Sequence, residues 1–316
     1  MKKTKWLAAC IAACALALVA GCSSGDDGGS ELPGIEYDAA KWVIEGTTVV
    51  RYTGAEADVR IPDGVTIIGE SAFKGCKSLK SVTIPASVTS IEDGAFDECG
   101  GFAVTYGGTL AQWCQMDNDW ALLDNAKSIK LSDGTDLKSL TTLEIPSGVT
   151  KIGAYAFDSC TSLASVTIPA SVESIGESAF EDCTSLASVT IPGSVKSIGW
   201  LAFGGCKSLA SVEIPGSVKS IGMQAFVACE SRASVTIGDG VTSIGEWAFT
   251  NCKSLASVEI PASVESIGWL AFGGFTSLEE VKYGGTAEQW KKIDIGSDAF
   301  PSGVKIYDKE GKEIEE

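Results

Sequence analysis

Apolar residues recur in one fixed order along most of the chain, and their spacing changes twice within each unit. The stretch Leu163-Ala-Ser-Val166-Thr-Ile168-Pro169-Ala-Ser-Val172-Glu-Ser-Ile175-Gly176-Glu-Ser-Ala179-Phe180-Glu-Asp-Cys183 shows the order in full. Val166 and Ile168 alternate with Ser165 and Thr167, which predicts a short strand with one face in a core. Pro169 lacks the N–H that a ladder needs and ends the strand. Val172 and Ile175 come next, three apart, then Ala179 and Cys183 four apart. That wider spacing predicts a return leg made of a turn and a short helical or 3₁₀ segment. Gly176 is expected to adopt a backbone conformation that side chains resist.

The order returns every 23 residues, with its Ile-Pro pair beginning at Ile61, Ile84, Ile145, Ile168, Ile191, Ile214 and Ile260, and as Ile-Gly at Ile237. An Ala-Phe pair stands eleven residues after each Ile, and a cysteine fifteen after it in all but the last unit, where Phe275 takes the place. A unit this short cannot bury enough apolar surface to offset the entropy of ordering it, so units must stack and share ladder bonds and a core. The implied fold class is a repeat solenoid, a right-handed superhelix of short parallel strands and short helical or 3₁₀ return segments. The pattern Leu-x-x-Val-x-Ile-Pro-x-x-Val-x-x-Ile-Gly-x-x-Ala-Phe-x-x-Cys resembles the 23-residue leucine-rich repeat of the BspA-like family of bacterial surface proteins, over roughly residues 50 to 312. The resemblance implies a leucine-rich-repeat fold and a surface-exposed or secreted protein that adheres to host matrix proteins or other cells. It implies no catalytic residues and no cofactor.

The period fails between Cys99 and Leu143. There, Val104-Thr-Tyr106-Gly107-Gly108-Thr109-Leu-Ala-Gln112-Trp113 is echoed later by Val281-Lys-Tyr283-Gly284-Gly285-Thr286-Ala-Glu-Gln289-Trp290. This second unit type is expected to cover sheet edges, with a ligand role for its Tyr and Trp as the other reading. Lys41 to Tyr52 reads as a hairpin across Glu45-Gly46. The organisation read from these marks is a signal peptide (1–21), a lipidated flexible tether (22–40), and an N-terminal hairpin with the start of the first repeat (41–60). Repeats (61–101), the irregular Tyr-Gly-Gly/Trp module (102–142), further repeats (143–278) and a capping module (279–316) complete it. Arg232 stands where Leu163, Leu186, Leu209 and Leu255 stand in other units; it is expected to snorkel outward and weaken its rung, so Arg232→Leu should raise the melting temperature.

The amino end carries an address. Lys2, Lys3 and Lys5 precede an uncharged apolar run from Trp6 to Ala20, too short to span a bilayer comfortably. Val19-Ala20-Gly21-Cys22 then resembles the lipobox of bacterial lipoproteins. That resemblance implies cleavage before Cys22 and a lipid on its sulfur, attaching the chain to the membrane. An ordinary cleaved signal with a cysteine nearby is the other reading. Gly21-Cys22-Ser23-Ser24-Gly25 formally fits a hydrolase nucleophile elbow, but the strand, helix and histidine that such an elbow needs are missing from the sequence pattern around it.

Composition narrows the chemistry. The 316 residues hold 24 Lys plus Arg against 41 Asp plus Glu, a formal charge of −17, and no histidine. An acidic chain without a basic stripe repels nucleic acid. Without histidine there is no Ser-His-Asp or Cys-His catalysis and no imidazole metal site. Of the 11 cysteines, seven (Cys76, Cys99, Cys160, Cys183, Cys206, Cys229 and Cys252) share one repeat position. Stacked rungs hold such side chains parallel at ~4.8 Å, wrong for disulfides and for convergent metal ligands, so they read as buried thiols acting as small hydrophobes. Asp133 to Asp136 is too short for a calcium loop.

Two surfaces repeat along the predicted solenoid. One is a flat row of Ser, Thr and Glu on the outer strand face, Ser165/Thr167 and Ser188/Thr190 among them. The other is the variable pair after Ile-Gly, which supplies Tyr155, Trp200, Trp247 and Trp269 as a candidate protein-binding surface. These aromatics packing on one another along the return side is an equal reading. The function read from the sequence is a lipid-anchored protein of the bacterial envelope, displayed on the outer membrane or cell surface, that binds a host matrix or cell-surface protein. A structural or recruiting role inside the envelope, facing the periplasm, is the alternative. Calcium-bridged contacts from the acidic surface stay open.

Overall fold

The computed structural model describes residues 37–315 apart from 232, 233 and 253. The signal segment, Cys22, most of the tether and Arg232 therefore lie outside the described residues. Within them the chain winds into a parallel solenoid of about 11 turns. The repeat strands predicted from Val-x-Ile are the main strands: Ser165–Thr167, Ser188–Thr190, Ser211–Ile214, Ser234–Ile237 and Ser257–Ile260 pair in parallel and in register, Ser165 opposite Ser188 and Val212 opposite Val235. They belong to an eight-stranded sheet running from Thr142–Glu144 to Lys305–Tyr307. A four-stranded sheet from Asp58–Arg60 to Ala126–Lys130 precedes it. At the amino end Trp42–Glu45 runs antiparallel to Thr48–Tyr52, turning at Gly46.

The return legs differ in detail from the helical spacing read in the sequence. Each begins with a second strand of two residues, such as Ser174–Ile175 or Ser197–Ile198, and seven of these columns form their own parallel sheet. A run of i→i+3 turns comes next: Asp158 N–H donates to Tyr155 O (3.2 Å) and Cys160 N–H to Phe157 O (3.3 Å). Two residues per rung interrupt any helix by adopting left-handed backbone, as Tyr155 (φ 54°) and Ser159 (φ 53°) do. A helix would point its N–H groups along its own axis. These residues turn them to the next rung instead, with Tyr155 N–H donating to Glu177 O, Phe157 N–H to Ala179 O and Ser159 N–H to Glu181 O, all at 2.8–2.9 Å. The forward ladder bonds offset left-handed strain that costs about 1–2 kcal/mol per residue.

Gly176 is not among the left-handed residues. It is needed because the rungs touch there: a Cβ would lie 2.7 Å from Ala154 N and 2.8 Å from Gly153 C. The left-handed position is two residues on, at Ser178 (φ 48°).

Between the two sheets of each turn lies one continuous core. Phe157, Phe180, Phe203, Phe226, Phe249 and Phe272 stack along it with centroids 5.2–5.5 Å apart. Phe300 continues the stack against Phe272 at 5.2 Å, placed by an Ala-Phe pair in the last module whose longer spacing hides it from the 23-residue period. The cysteine column lies beside the rings. All eight described cysteines are unbridged thiols, seven buried and Cys76 half-buried. Their sulfurs do more than fill space, because Cys183 Sγ donates to Phe157 O and Cys206 Sγ to Phe180 O, each at 3.2 Å and each onto the preceding rung. Burial pushes the Cys160 thiol up to about 12.

The irregular modules are rungs with real helices in their return legs. The inner module carries α1 (Leu110–Gln115) and α2 (Trp120–Asn125), and the last module α3 (Ala287–Trp290). Helices α1 and α3 both start in capping boxes, Thr109 with Gln112 and Thr286 with Gln289. In each, Tyr and Trp pack edge to face, at 5.4 Å for Tyr106–Trp113 and 5.1 Å for Tyr283–Trp290. Both tyrosines and both tryptophans are buried and pack into the core.

Candidate functional site

The variable pairs all fall on one edge, where the second strand gives way to the first left-handed turn. The two members of a pair have different fates. At the first position Trp200 is 39% and Trp269 41% exposed, with Met223 at 38% in the same column. The second is the left-handed residue, and Tyr155 and Trp247 lie half-buried with partners on the next rung, Glu177 and Trp269. Tyr155 donates its hydroxyl to Glu177 Oε1 at 2.7 Å, and burial followed by that carboxylate raises its pKa.

The four sequence-predicted residues gather in two groups. Trp247 and Trp269 meet at 4.7 Å with ring planes tilted by 57°. Trp200 hydrogen-bonds onward to Gln224 through Nε1 (2.8 Å) and lines a cleft with Tyr155. A third ring in that cleft, Trp120, is the most exposed large apolar residue of the described chain at 46%. Sequence reasoning passed over Trp120 because it lies outside the 23-residue register. The usable signal was Asp119 ahead of the apolar run Trp120-Ala-Leu-Leu123, a helix start, and helix α2 begins there.

Asp119 itself explains how the irregular module joins the repeats. In ordinary rungs the first left-handed N–H and the Phe N–H donate to carbonyls of the next rung. At the last rung before the module those donors are Gly94 and Phe96, and the Asp119 carboxylate accepts both, at 3.0 and 3.4 Å. On the other side the module passes the ladder on: Trp113 Nε1 donates to Ala156 O (2.7 Å) and Gly153 N–H to Cys114 O (2.7 Å). The cleft under Trp120 is therefore held by fixed backbone from both flanks.

Electrostatics there are one-sided. Asp158, 6% exposed below the rings, has its carboxyl pushed up to about 7 by burial first and by Glu181 second, with Lys138 opposing. Burial also raises Glu181. The outer strand face is plain by comparison, with Ser188, Thr190, Ser211 and Glu213 exposed and solvated. Among the described residues no group of three Asp, Glu or Cys converges to hold a metal ion.

A continuous apolar core, laddered rungs and a decorated edge define a class, the repeat-type solenoid that offers one long surface to partners. The chain belongs to the family described as the BspA type leucine-rich repeat region, whose profile matches residues 51–111, 135–226 and 181–305. Family and fold are those of repeat proteins that engage other proteins. No curated protein sequence matches the chain. Among solved structures it resembles a leucine-rich repeat protein from Eubacterium ventriosum at 22% identity, covering 81% of this chain and 88% of that one with a TM-score of 0.55. It also resembles a leucine-rich cell surface protein from Faecalibacterium prausnitzii (24% identity, 84% and 99% coverage, TM-score 0.32) and the pneumococcal vaccine antigen PcpA (18%, 87% and 87%, 0.41).

Proposed function

We propose that this protein is anchored by a lipid on Cys22 to the outer surface of a bacterial envelope and binds a protein partner along its return-leg edge, in adhesion to host matrix proteins or to other cells. The observation that carries the reading is the column of large apolar side chains held out in water at Trp200, Met223 and Trp269. Tryptophan exposed on a rigid edge is the residue type that most often dominates binding hot spots. The basic start, the apolar run and Val19-Ala20-Gly21-Cys22 support the anchor.

The binding edge is tested by capture of host matrix and cell-surface proteins on the wild-type chain and on a variant with Tyr155, Trp200, Trp247 and Trp269 all changed to alanine. Recovery should fall at least tenfold in the variant; equal recovery removes the edge as the binding surface. The anchor is tested by metabolic labelling with a tagged fatty acid, which Cys22→Ser should abolish. Display is tested by protease treatment of intact cells. Loss of the solenoid is the expected result, and full protection would replace surface display with a recruiting role inside the envelope.

A further inference from the structure

The three rings of the junction cleft separate two hollows. Trp120, Tyr155 and Trp200 line both, one of about 750 Å³ and one of about 260 Å³. The larger is walled by Glu92, Asp93, Asp117 and Glu177, the smaller by Asp124, Asp158, Glu181 and Asp182. Among the described residues no lysine or arginine lines either hollow. The hollows at the carboxyl end differ, since Lys282 and Lys309 offset the acids in one, and Lys291, Lys309 and Lys312 in the other. Lys151 reaches Asp117 from outside the junction cleft at 2.8 Å, and the remaining carboxylates of the larger hollow have no salt bridge among the described residues.

A second observation is independent of charge. Asn118 lines the larger hollow and is 4% exposed. Its Nδ2 donates to Met116 O at 3.3 Å, while its Oδ1 is buried with no hydrogen-bond partner. A buried carbonyl oxygen without a donor is uncommon and destabilising, and a ligand that brings N–H groups relieves it. Among the described residues these acids form no group of three that could chelate a metal ion. They surround aromatic faces, and that combination suits a cation with its own flat bulk: the rings attract it through their quadrupoles and the carboxylates through charge.

We propose that this junction cleft is a receptor for a basic side chain, arginine foremost, carried by the protein partner. The inference deepens the protein-binding reading and rests on it. In the bound state the guanidinium lies among Trp120, Tyr155 and Trp200, donates to Asn118 Oδ1 and faces Glu92, Asp93 and Glu177. Arginine fits better than lysine because its planar fork can stack on a ring and still donate sideways.

The test uses the full chain and an acetylated, amidated Arg-Gly-Arg-Gly-Arg peptide, with a citrulline version that keeps the shape and loses the charge. Calorimetric titration at 150 mM salt should show binding of the arginine peptide and none of the citrulline one. Trp120→Ala should weaken binding at least tenfold, as should the double variant Glu92→Gln/Asp93→Asn, whose residues are exposed and leave the fold intact. The double variant Glu213→Gln/Glu259→Gln, exposed on the outer strand face and outside the cleft, should leave it unchanged. Equal weakening by the strand-face variant and by Glu92→Gln/Asp93→Asn would mean diffuse attraction to an acidic chain and overturn the proposal, as would no binding or binding that survives both cleft variants. If Trp120→Ala still captures partner proteins that the quadruple aromatic variant loses, the cleft proposal fails while the edge remains the binding surface.

Discussion

Two glycines six residues apart should respond in opposite ways to the same substitution. At Gly199 a Cβ would lie 2.6 Å from Gly176 C, 2.7 Å from Glu177 N and 2.8 Å from Gly176 O. All three are backbone atoms, so no side-chain rotation relieves the contact, and the two rungs must part by roughly 1 Å to reach ordinary van der Waals distance. That displacement stretches the bond from Gly199 N–H to Ile175 O, now 2.9 Å, past the useful range. Overpacking costs about 1–3 kcal/mol and the lost ladder bond about 0.5–1.5, so Gly199→Ala should destabilise by about 2–4 kcal/mol. At Gly193 nothing lies within 4 Å of the added carbon and the backbone is not left-handed. Ala170 and Ala262 hold the equivalent place in other rungs. Gly193→Ala should therefore be neutral or stabilise by about 0.4–1 kcal/mol through the unfolded chain. Thermal and urea unfolding followed by circular dichroism read both variants, with a fall of roughly 4–8 °C expected for Gly199→Ala. A shift below one degree in that variant, or equal shifts in the two, would refute the close-approach account of the Ile-Gly position.

Asp119→Ala removes the acceptor for both Gly94 and Phe96 N–H, and should cost about 2–4 kcal/mol in urea unfolding; a loss below about 0.5 kcal/mol would show that the carboxylate is not the stitch between module and repeats. Asp158 has a folded pKa raised above its unfolded value, so its contribution to stability is fully present below the ordinary aspartate range and lost as pH rises through about 7. Stability should fall by on the order of 2 kcal/mol from pH 5 to pH 8, Asp158→Asn should flatten that slope, and an unchanged slope would contradict the assignment. Thiol labelling of the native protein should modify Cys76, the half-buried member, before any of the seven buried cysteines, which should react only in denaturant; rapid native labelling of several buried thiols would sink the ladder.

The parallel stack was legible because 23-residue spacing, Val-x-Ile alternation and Pro169-type breaks are local marks of a short strand that must repeat. The return leg was harder to read. Spacings of three and four between Val172, Ile175, Ala179 and Cys183 fit a helix, yet left-handed residues such as Ser178 and Asp182 send N–H groups across rungs, a choice made by stacking and invisible within one unit. Gly176 carried a signal whose cause was misread, since crowding between rungs and an unusual φ leave the same glycine in the sequence. At the edge, Trp200 and Trp269 were legible as candidates because their column varies between units. Trp120 and Asn118 escaped notice, because their place beside Tyr155 comes from how an off-period module docks on the next rung.

The central claim is that the return-leg edge, and not the Ser/Thr strand face, meets the partner. Hydrogen exchange measured on the chain with and without a captured partner tests it most directly. Slowed exchange at the variable pairs, from 154–155 through 200–201 to 269–270, with the main strands unchanged, is the result predicted. Slowing confined to the main strands, with those pairs exchanging as in the isolated chain, would contradict it.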